Sequence, residues 1–257
     1  TRDIMDVVKP LEQRGSYETS RRVLQIINQV FRYAVITGRA KHNIAADLRG
    51  ALRPRKTVHR AAVLEPEKVG QLLRDIDAYE GYFPLVCALK LAPLVFTRPT
   101  ELRAAQWKEF DLESGEWRIP AERMKMRRHH LVPLSRQAIS ILRELQKYSG
   151  EGTYLFPSIR TEVRPISDAT MLNALRRMGY QKHEMSVHGF RSIASTLLNE
   201  LGYNRDWIER QLAHGEQDEV RAAYNYAEYL PERRKMMQAW ADYLDGLRNT
   251  QQKRIRE

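Results

Sequence analysis

A single cysteine among 257 residues excludes a disulfide framework and a cysteine-ligated metal centre. It is Cys87, inside the apolar run Pro84-Leu85-Val86-Cys87-Ala88-Leu89, and it reads as a small core residue. Long hydrophobic runs are missing as well. No stretch reaches the roughly 18 apolar residues that a spanning helix needs, and Thr1-Arg2-Asp3-Ile4 is not a charged-then-apolar leader. A soluble protein with no membrane partner, acting in the cytoplasm, is expected. There is no glycine-rich phosphate loop, no internal repeat and no clustered Asp/Glu set of the sort two-metal nucleases use, so neither a metal nor a nucleotide cofactor is expected. Acidic side chains are outnumbered, 32 against 43 Lys+Arg, leaving a formal charge of +11. Such an excess favours a polyanionic partner, nucleic acid first. The chain lacks an initiator methionine and opens inside an element, which suggests a piece of a longer protein.

What is present reads as mainly α with a small β-hairpin or sheet, at a length suited to one larger domain and a smaller one. From Glu18 to Ile36, apolar residues at Val23, Ile26, Ile27, Val30, Phe31, Ala34 and Val35 predict a helix with one broad buried stripe, stopped near Gly38. Its partners are sought at residues 4–11 and 44–52, which makes 1–52 a small, incomplete helical unit. Residues 53–62 read as a basic linker, in which Arg53, Arg55 and Lys56 are either phosphate contacts or a solvated charge run. Residues 63–257 form the larger domain.

Pro66 opens a helix buried through Val69, Leu72, Leu73 and Ile76, and 83–96 is a second, nearly all-apolar helix. Two short strands, 116–120 and 130–134, flank a basic segment. Further helices follow at 135–148 and 170–178, with 150–165 as a loop between them. The helix opened by Ser186 buries Phe190, Ile193, Ala194, Leu197 and Leu201, and Asn204 caps the next one. After Pro231 a last helix carries Met236, Trp240, Tyr243 and Leu247, which pack on their own domain or dock on a neighbouring protomer.

The chemistry gathers around Ser186-Val187-His188-Gly189-Phe190-Arg191-Ser192. His188 and Arg191, three apart, share one helical face. Ala213-His214-Gly215 follows and then Val220-Arg221-Ala222-Ala223-Tyr224. Upstream lie Phe96-Thr97-Arg98-Pro99-Thr100-Glu101 and the basic segment holding Lys125, Arg127, Arg128, His129 and His130. Guanidinium forks match phosphate oxygens in two-point contacts, and a lysine can protonate a leaving alkoxide. A phenol with its ordinary pKa near ~10 needs a base or local positive charge before it attacks phosphorus. Taken singly, each residue has a plainer reading. Arg98 and Glu101 make an i,i+3 surface pair, Lys125 is one solvated charge among several, and His214 sits against a helix's negative end.

Taken in order, Arg98, Lys125, His188-Gly189-Phe190-Arg191, Leu212-Ala213-His214 and Tyr224 resemble the signature of the tyrosine recombinases, the phage-type site-specific integrases of prophages and genomic islands. The resemblance covers about residues 64–240, and the preceding helical unit is similar to their core-binding domain. It implies a DNA strand-exchange transesterase with Tyr224 as the nucleophile that forms a 3′-phosphotyrosyl bond. Lys125 would be the general acid for the 5′-hydroxyl, with Arg127 and Arg128 the competing assignments. Arg98 and Arg191 would hold the non-bridging oxygens, His188 would assist proton transfer, His214 would bond the phosphate, and Glu101 would orient Arg98. Arg127 and Arg128 join the linker cations as DNA contacts. Two departures stand out: Phe96 and Ala213 occupy positions where the family often has glycine.

The resemblance further implies double-stranded DNA held between two domains, a higher-order homo-oligomer on that DNA in a bacterial cell, and an accessory DNA-bending protein as an additional partner. Three other readings compete with it. A type IB topoisomerase-like activity would use the same groups on one strand, a regulatory protein would bind DNA without chemistry, and a helical interaction module would carry only a generic basic surface.

Overall fold

A computed structural model describes residues 1–48, 50–53, 61–213 and 229–254. The chain divides into two compact units, Thr1–His59 and Arg60–Glu257.

In the first unit, α1 (Arg2–Gln13) and α2 (Tyr17–Ile36) are joined by a short turn in which Gly15 takes the left-handed backbone. Ser20, fully buried, donates to the Val8 carbonyl across the pair (3.1 Å). Ile4, Ala45 and Leu48 form the core, with Met5, Leu24, Ile27 and Phe31 packed on it. The predicted stripe is therefore narrower than expected. One helix and one short turn can cover only a single side of α2, so Leu24, Ile27 and Phe31 turn inward while Ile26 and Val30 stay exposed (51% and 60%). Arg53 is exposed, and its main-chain N–H donates to Glu12 (2.9 Å). Arg55 and Lys56 lie outside the described residues.

The second unit is built around α4 (Phe83–Val95), whose two faces are both covered. α3 (Pro66–Asp77) starts with its proline and buries Val69, Leu72, Leu73 and Ile76 as the spacing predicts. α5 (Pro99–Arg103) is one short turn of helix. α6 (Arg136–Ser149) is capped by Ser135, whose hydroxyl accepts from the Ala138 N–H (3.3 Å). α7 (Asp168–Arg177), α8 (Gly189–Glu200), α9 (Arg205–Gln211) and α10 (Leu230–Arg254) complete the described helices. Gly202 ends the α8 region in the left-handed backbone, and Asn204 caps α9 through the Asp206 N–H (2.8 Å). Leu201 does not join the α8 stripe. It falls on the C-terminal cap and is 46% exposed, while Leu198, three residues earlier, is fully buried. On α10, Met236 and Trp240 are buried, the Trp240 indole donates to the Pro93 carbonyl of α4 (2.9 Å), and Phe96 stands edge-on to it. The stripe on the last helix thus serves its own unit.

The two predicted strands are β2 (Glu116–Ile119) and β3 (His130–Pro133), antiparallel with Ile119 opposite His130. A third strand, β1 (Phe110–Asp111), adds to β2 through a turn in which the Asp111 carboxylate accepts from the N–H groups of Glu113 and Ser114. The expected loop at 150–165 contains a second hairpin, β4 (Pro157–Ser158) with β5 (Thr161–Pro165). β5 buries no side chain, so the period-two signal that reveals a strand is absent from it. No helix among the described residues is long and apolar enough to cross a membrane.

Candidate active site

The two arginines singled out by the motifs meet at one place. α4 ends on Phe96, which is fully buried in the left-handed conformation (φ 35°), and its carbonyl accepts from Arg191 Nη1 (2.8 Å). The other arm of Arg191, Nη2, donates to the Leu212 carbonyl (2.7 Å). Arg98 Nη2 donates to the next carbonyl, Ala213 (3.0 Å), and Ala213 also has a positive φ (48°). Phe96 and Ala213 are the two positions at which the resemblance leads to an expectation of glycine. The backbone keeps the geometry that glycine adopts freely and tolerates a Cβ in it.

Arg98 is held from its own helix as well. Glu101, buried, pairs with Arg98 Nη1 (2.7 Å) and accepts from the Arg98 main-chain N–H (2.9 Å), closing the first turn of α5. Arg191 lies on α8 three residues after His188, which is half-buried at the helix N-cap. Gly189 between them is required by space, since a Cβ there would stand 2.6 Å from the Ala61 carbonyl oxygen. Burial first, then the positive charge of Arg98, push the Arg191 guanidinium down to about 10. It is still a cation at neutral pH. Two guanidinium groups close enough to repel each other, with Arg98 18% exposed, make a site suited to a tetrahedral dianion or phosphodiester.

The basic connection 120–129 is anchored beside this pair by Arg123. Its Nη2 donates to the Glu101 carbonyl (2.6 Å), and its Nη1 pairs with Glu109, which also accepts from the Trp117 indole (2.9 Å). Arg123 is thus committed to structure. Met124 is buried, and Lys125, Arg127 and Arg128 follow on exposed backbone, Arg127 at φ 50°. Lys125 has no hydrogen-bond partner among the described residues. His214 and Tyr224 lie outside the described residues.

Sequence reasoning missed three participants. His130, the first residue of β3, is buried and its Nε2 donates to the Gln211 carbonyl (3.1 Å). Gln211 is fully buried, and its side-chain oxygen accepts from Arg233 Nη2 (2.6 Å) and Nε (3.2 Å). No local period distinguishes such residues, since each sits where an apolar side chain would fit the same pattern.

Burial, reinforced by the charges of Arg233, Arg210 and Arg191 and opposed by the bond to Gln211, drives the His130 imidazole from its ordinary 6.5 down to about 3. Below pH 6.5 the unfolded chain takes up a proton that the folded chain refuses, so stability falls as pH drops toward 3 and is unaffected above the ordinary value. Between pH 7 and pH 5 the parent should lose about 2 kcal/mol more than a His130→Gln variant, whose amide can still donate to Gln211. Urea melts followed by tryptophan fluorescence read this directly, because all four tryptophans belong to the second unit. Equal losses in parent and variant would show that His130 is not held neutral.

The phage integrase family model matches residues 62–230, and a phage integrase central domain model matches residues 1–51. The chain is 41% identical to the integrase of Enterobacteria phage P4, over 97% of this chain and 60% of that protein. It is 40% identical to the prophage integrase IntA of Escherichia coli K12, over 93% of this chain and 57% of that protein. It therefore spans about 60% of the length of these relatives. Among solved structures, a lambda integrase dimer bound to a core site superposes with a TM-score of 0.64 at 18% identity, covering 90% of this chain and 63% of that one. The Tn1549 transposon integrase in complex with transposon right end DNA gives a TM-score of 0.64 at 13% identity, covering 91% of this chain and 84% of that one.

Proposed function

The chain belongs to the phage integrase family, and from that premise we propose that it cuts and rejoins DNA strands by transesterification as a site-specific recombinase of the tyrosine class. The observation that carries the reading is the placement of Arg98 and Arg191 on the adjacent carbonyls of Ala213 and Leu212, immediately before His214 in the chain. In this reading the Tyr224 phenolate attacks the scissile phosphorus, the tyrosyl O–P bond forms, and the bond to the 5′-oxygen breaks. The leaving 5′-oxygen takes a proton from Lys125, and the DNA remains joined to the enzyme through a 3′-phosphotyrosine. Attack by a 5′-hydroxyl reverses the step on a new partner strand. Energy stored in the phosphotyrosyl bond makes a nucleotide cofactor unnecessary.

Charge on the two non-bridging oxygens rises in the transition state, and the guanidinium groups of Arg98 and Arg191 are already fixed to receive it. Glu101 prevents Arg98 from swinging away. His188 shares the Arg191 face of α8 and assists proton transfer, and His214 bonds the phosphate. Residues 1–52 serve as the core-binding unit. Arg53, Arg55, Lys56, Arg127 and Arg128 contact DNA phosphates, which makes affinity strongly salt-dependent. Strand exchange needs several subunits, so the working form is a homo-oligomer on double-stranded DNA, with an accessory DNA-bending protein as a further partner. The setting is prophage or mobile-element DNA in the bacterial cytoplasm.

The test uses nicked duplexes taken from the protein-bound fraction of a randomised DNA pool. Incubated with chelator and without nucleotide, they should yield a protein-DNA adduct that survives denaturation and is removed by protease. Tight binding with no adduct would overturn the reading in favour of a regulatory DNA-binding protein.

A further inference from the structure

The end of α9 and the two residues after it present three successive carbonyls, those of Gln211, Leu212 and Ala213, and each receives a basic side chain from a different part of the chain. His130 of β3 donates to the first, Arg191 of α8 to the second and Arg98 to the third. The last carbonyls of a helix have no partner within it, so what meets them decides where the turn sits. Here the relation also works in reverse. The Leu212 and Ala213 carbonyls each fix the arm of a guanidinium that the proposed reaction needs, so a shift of this turn moves both arginines.

One further contact holds the turn from outside. Arg233 is 1% exposed, and it reaches across to the Gln211 side-chain oxygen with two N–H groups while Nη2 also donates to the Leu131 carbonyl of β3. Arg233 lies in the first turn of α10, where its main-chain N–H bonds the Tyr229 carbonyl (2.8 Å). Nine residues before it in the sequence is Tyr224, and three residues after Gln211 is His214. The Gln211–Arg233 contact therefore joins the described residues on either side of the stretch that carries both.

We infer that Arg233, acting through Gln211, is a positioning residue for strand cleavage, setting the carbonyl turn at 211–213 that holds Arg98 and Arg191. The inference rests on the recombinase reading. Burying a guanidinium is a poor way to gain stability, because an apolar side chain of like volume escapes the desolvation cost and is often neutral or better. Gln211 shows what the pair requires. Its oxygen takes both bonds from Arg233, whereas its Nε2 is buried with no hydrogen-bond partner among the described residues. Only the acceptor is in use.

The experiment measures the rate of adduct formation at saturating nicked duplex, the affinity for that duplex, and the melting temperature, for the parent and for Arg233→Met, Gln211→Leu, Gln211→Glu and the double variant Arg233→Met/Gln211→Leu. Arg233→Met and Gln211→Leu should each slow the rate by about 10- to 100-fold, the scale of a small displacement of a reacting centre, with affinity within about twofold of the parent. Gln211→Glu keeps the acceptor and should stay within about threefold of the parental rate, and the double variant should be no slower than the slower single one. A purely structural pair would lower affinity and melting temperature along with the rate and would not separate Leu from Glu at 211. Parental rates in folded Gln211→Leu, or equal slowing by Leu and Glu, would overturn the inference. If Arg233→Met fails to fold, the comparison at 211 decides alone. A parent that forms no adduct would instead sink the recombinase reading, an outcome distinct from any of these.

Discussion

Tyr224→Phe should leave DNA affinity unchanged and reduce the covalent adduct by at least about 10⁴-fold, the order of loss seen when a nucleophile is removed from a covalent mechanism. The substitution deletes one oxygen and keeps the ring, so packing and charge are preserved and only the attacking atom is lost. No neighbouring group should take over, because in-line attack needs an oxygen about 3 Å from phosphorus and opposite the leaving group. Tyr226 and Tyr229 are close in sequence and serve as controls. Tyr229 lies at the start of α10 with a left-handed backbone (φ 49°), and its carbonyl already accepts from the Arg233 main chain. Tyr229→Phe should therefore retain the adduct. An adduct that persists in Tyr224→Phe and disappears in one of the other two would reassign the nucleophile without changing the reaction.

The second large effect is expected at Arg191. Arg191→Lys should lower the cleavage rate at saturating DNA by about 10²- to 10³-fold, the loss typical of removing one fixed donor from a developing oxyanion. A lysine keeps the charge but is a single point donor. It cannot span the Phe96 and Leu212 carbonyls that Arg191 bridges, 2.8 and 2.7 Å from its two arms. One buried carbonyl is then left without its donor, at a cost of about 1–3 kcal/mol in stability. Rates should consequently be compared well below the variant's melting temperature. Burial and Arg98 hold the Arg191 pKa down at about 10, so the cation is retained at neutral pH against a standing cost that is relieved only as pH rises past that value. Parental cleavage by a folded Arg191→Lys would remove this residue from the phosphate-holding role.

Much of the second unit was legible from local spacing. The apolar faces of α3 and α8, the proline at the start of α3 and the Asn204 cap are decided within one or two helical turns. They survive in the structure because tertiary packing agrees with them. The misses share a cause too. β5 is paired only to β4 and buries nothing, and Leu201 and Ile26 face solvent because no neighbouring element reaches their side of the helix. Periodicity reports which residues could be buried, and it is silent on which faces the rest of the chain comes to cover.

The order of the chemical groups along the chain, the positive charge and the helical character were determined by the sequence alone. These depend on residue identity and short spacings. Only the tertiary structure decided that Arg98, Arg191 and His130 would donate to three consecutive carbonyls, that Arg123 would be spent on Glu109 and Glu101, and that Arg233 would meet the Gln211 side chain. A buried carbonyl takes whichever donor packing brings within about 3 Å. When the donors lie from 21 to 115 residues away, no local pattern of side chains records that choice.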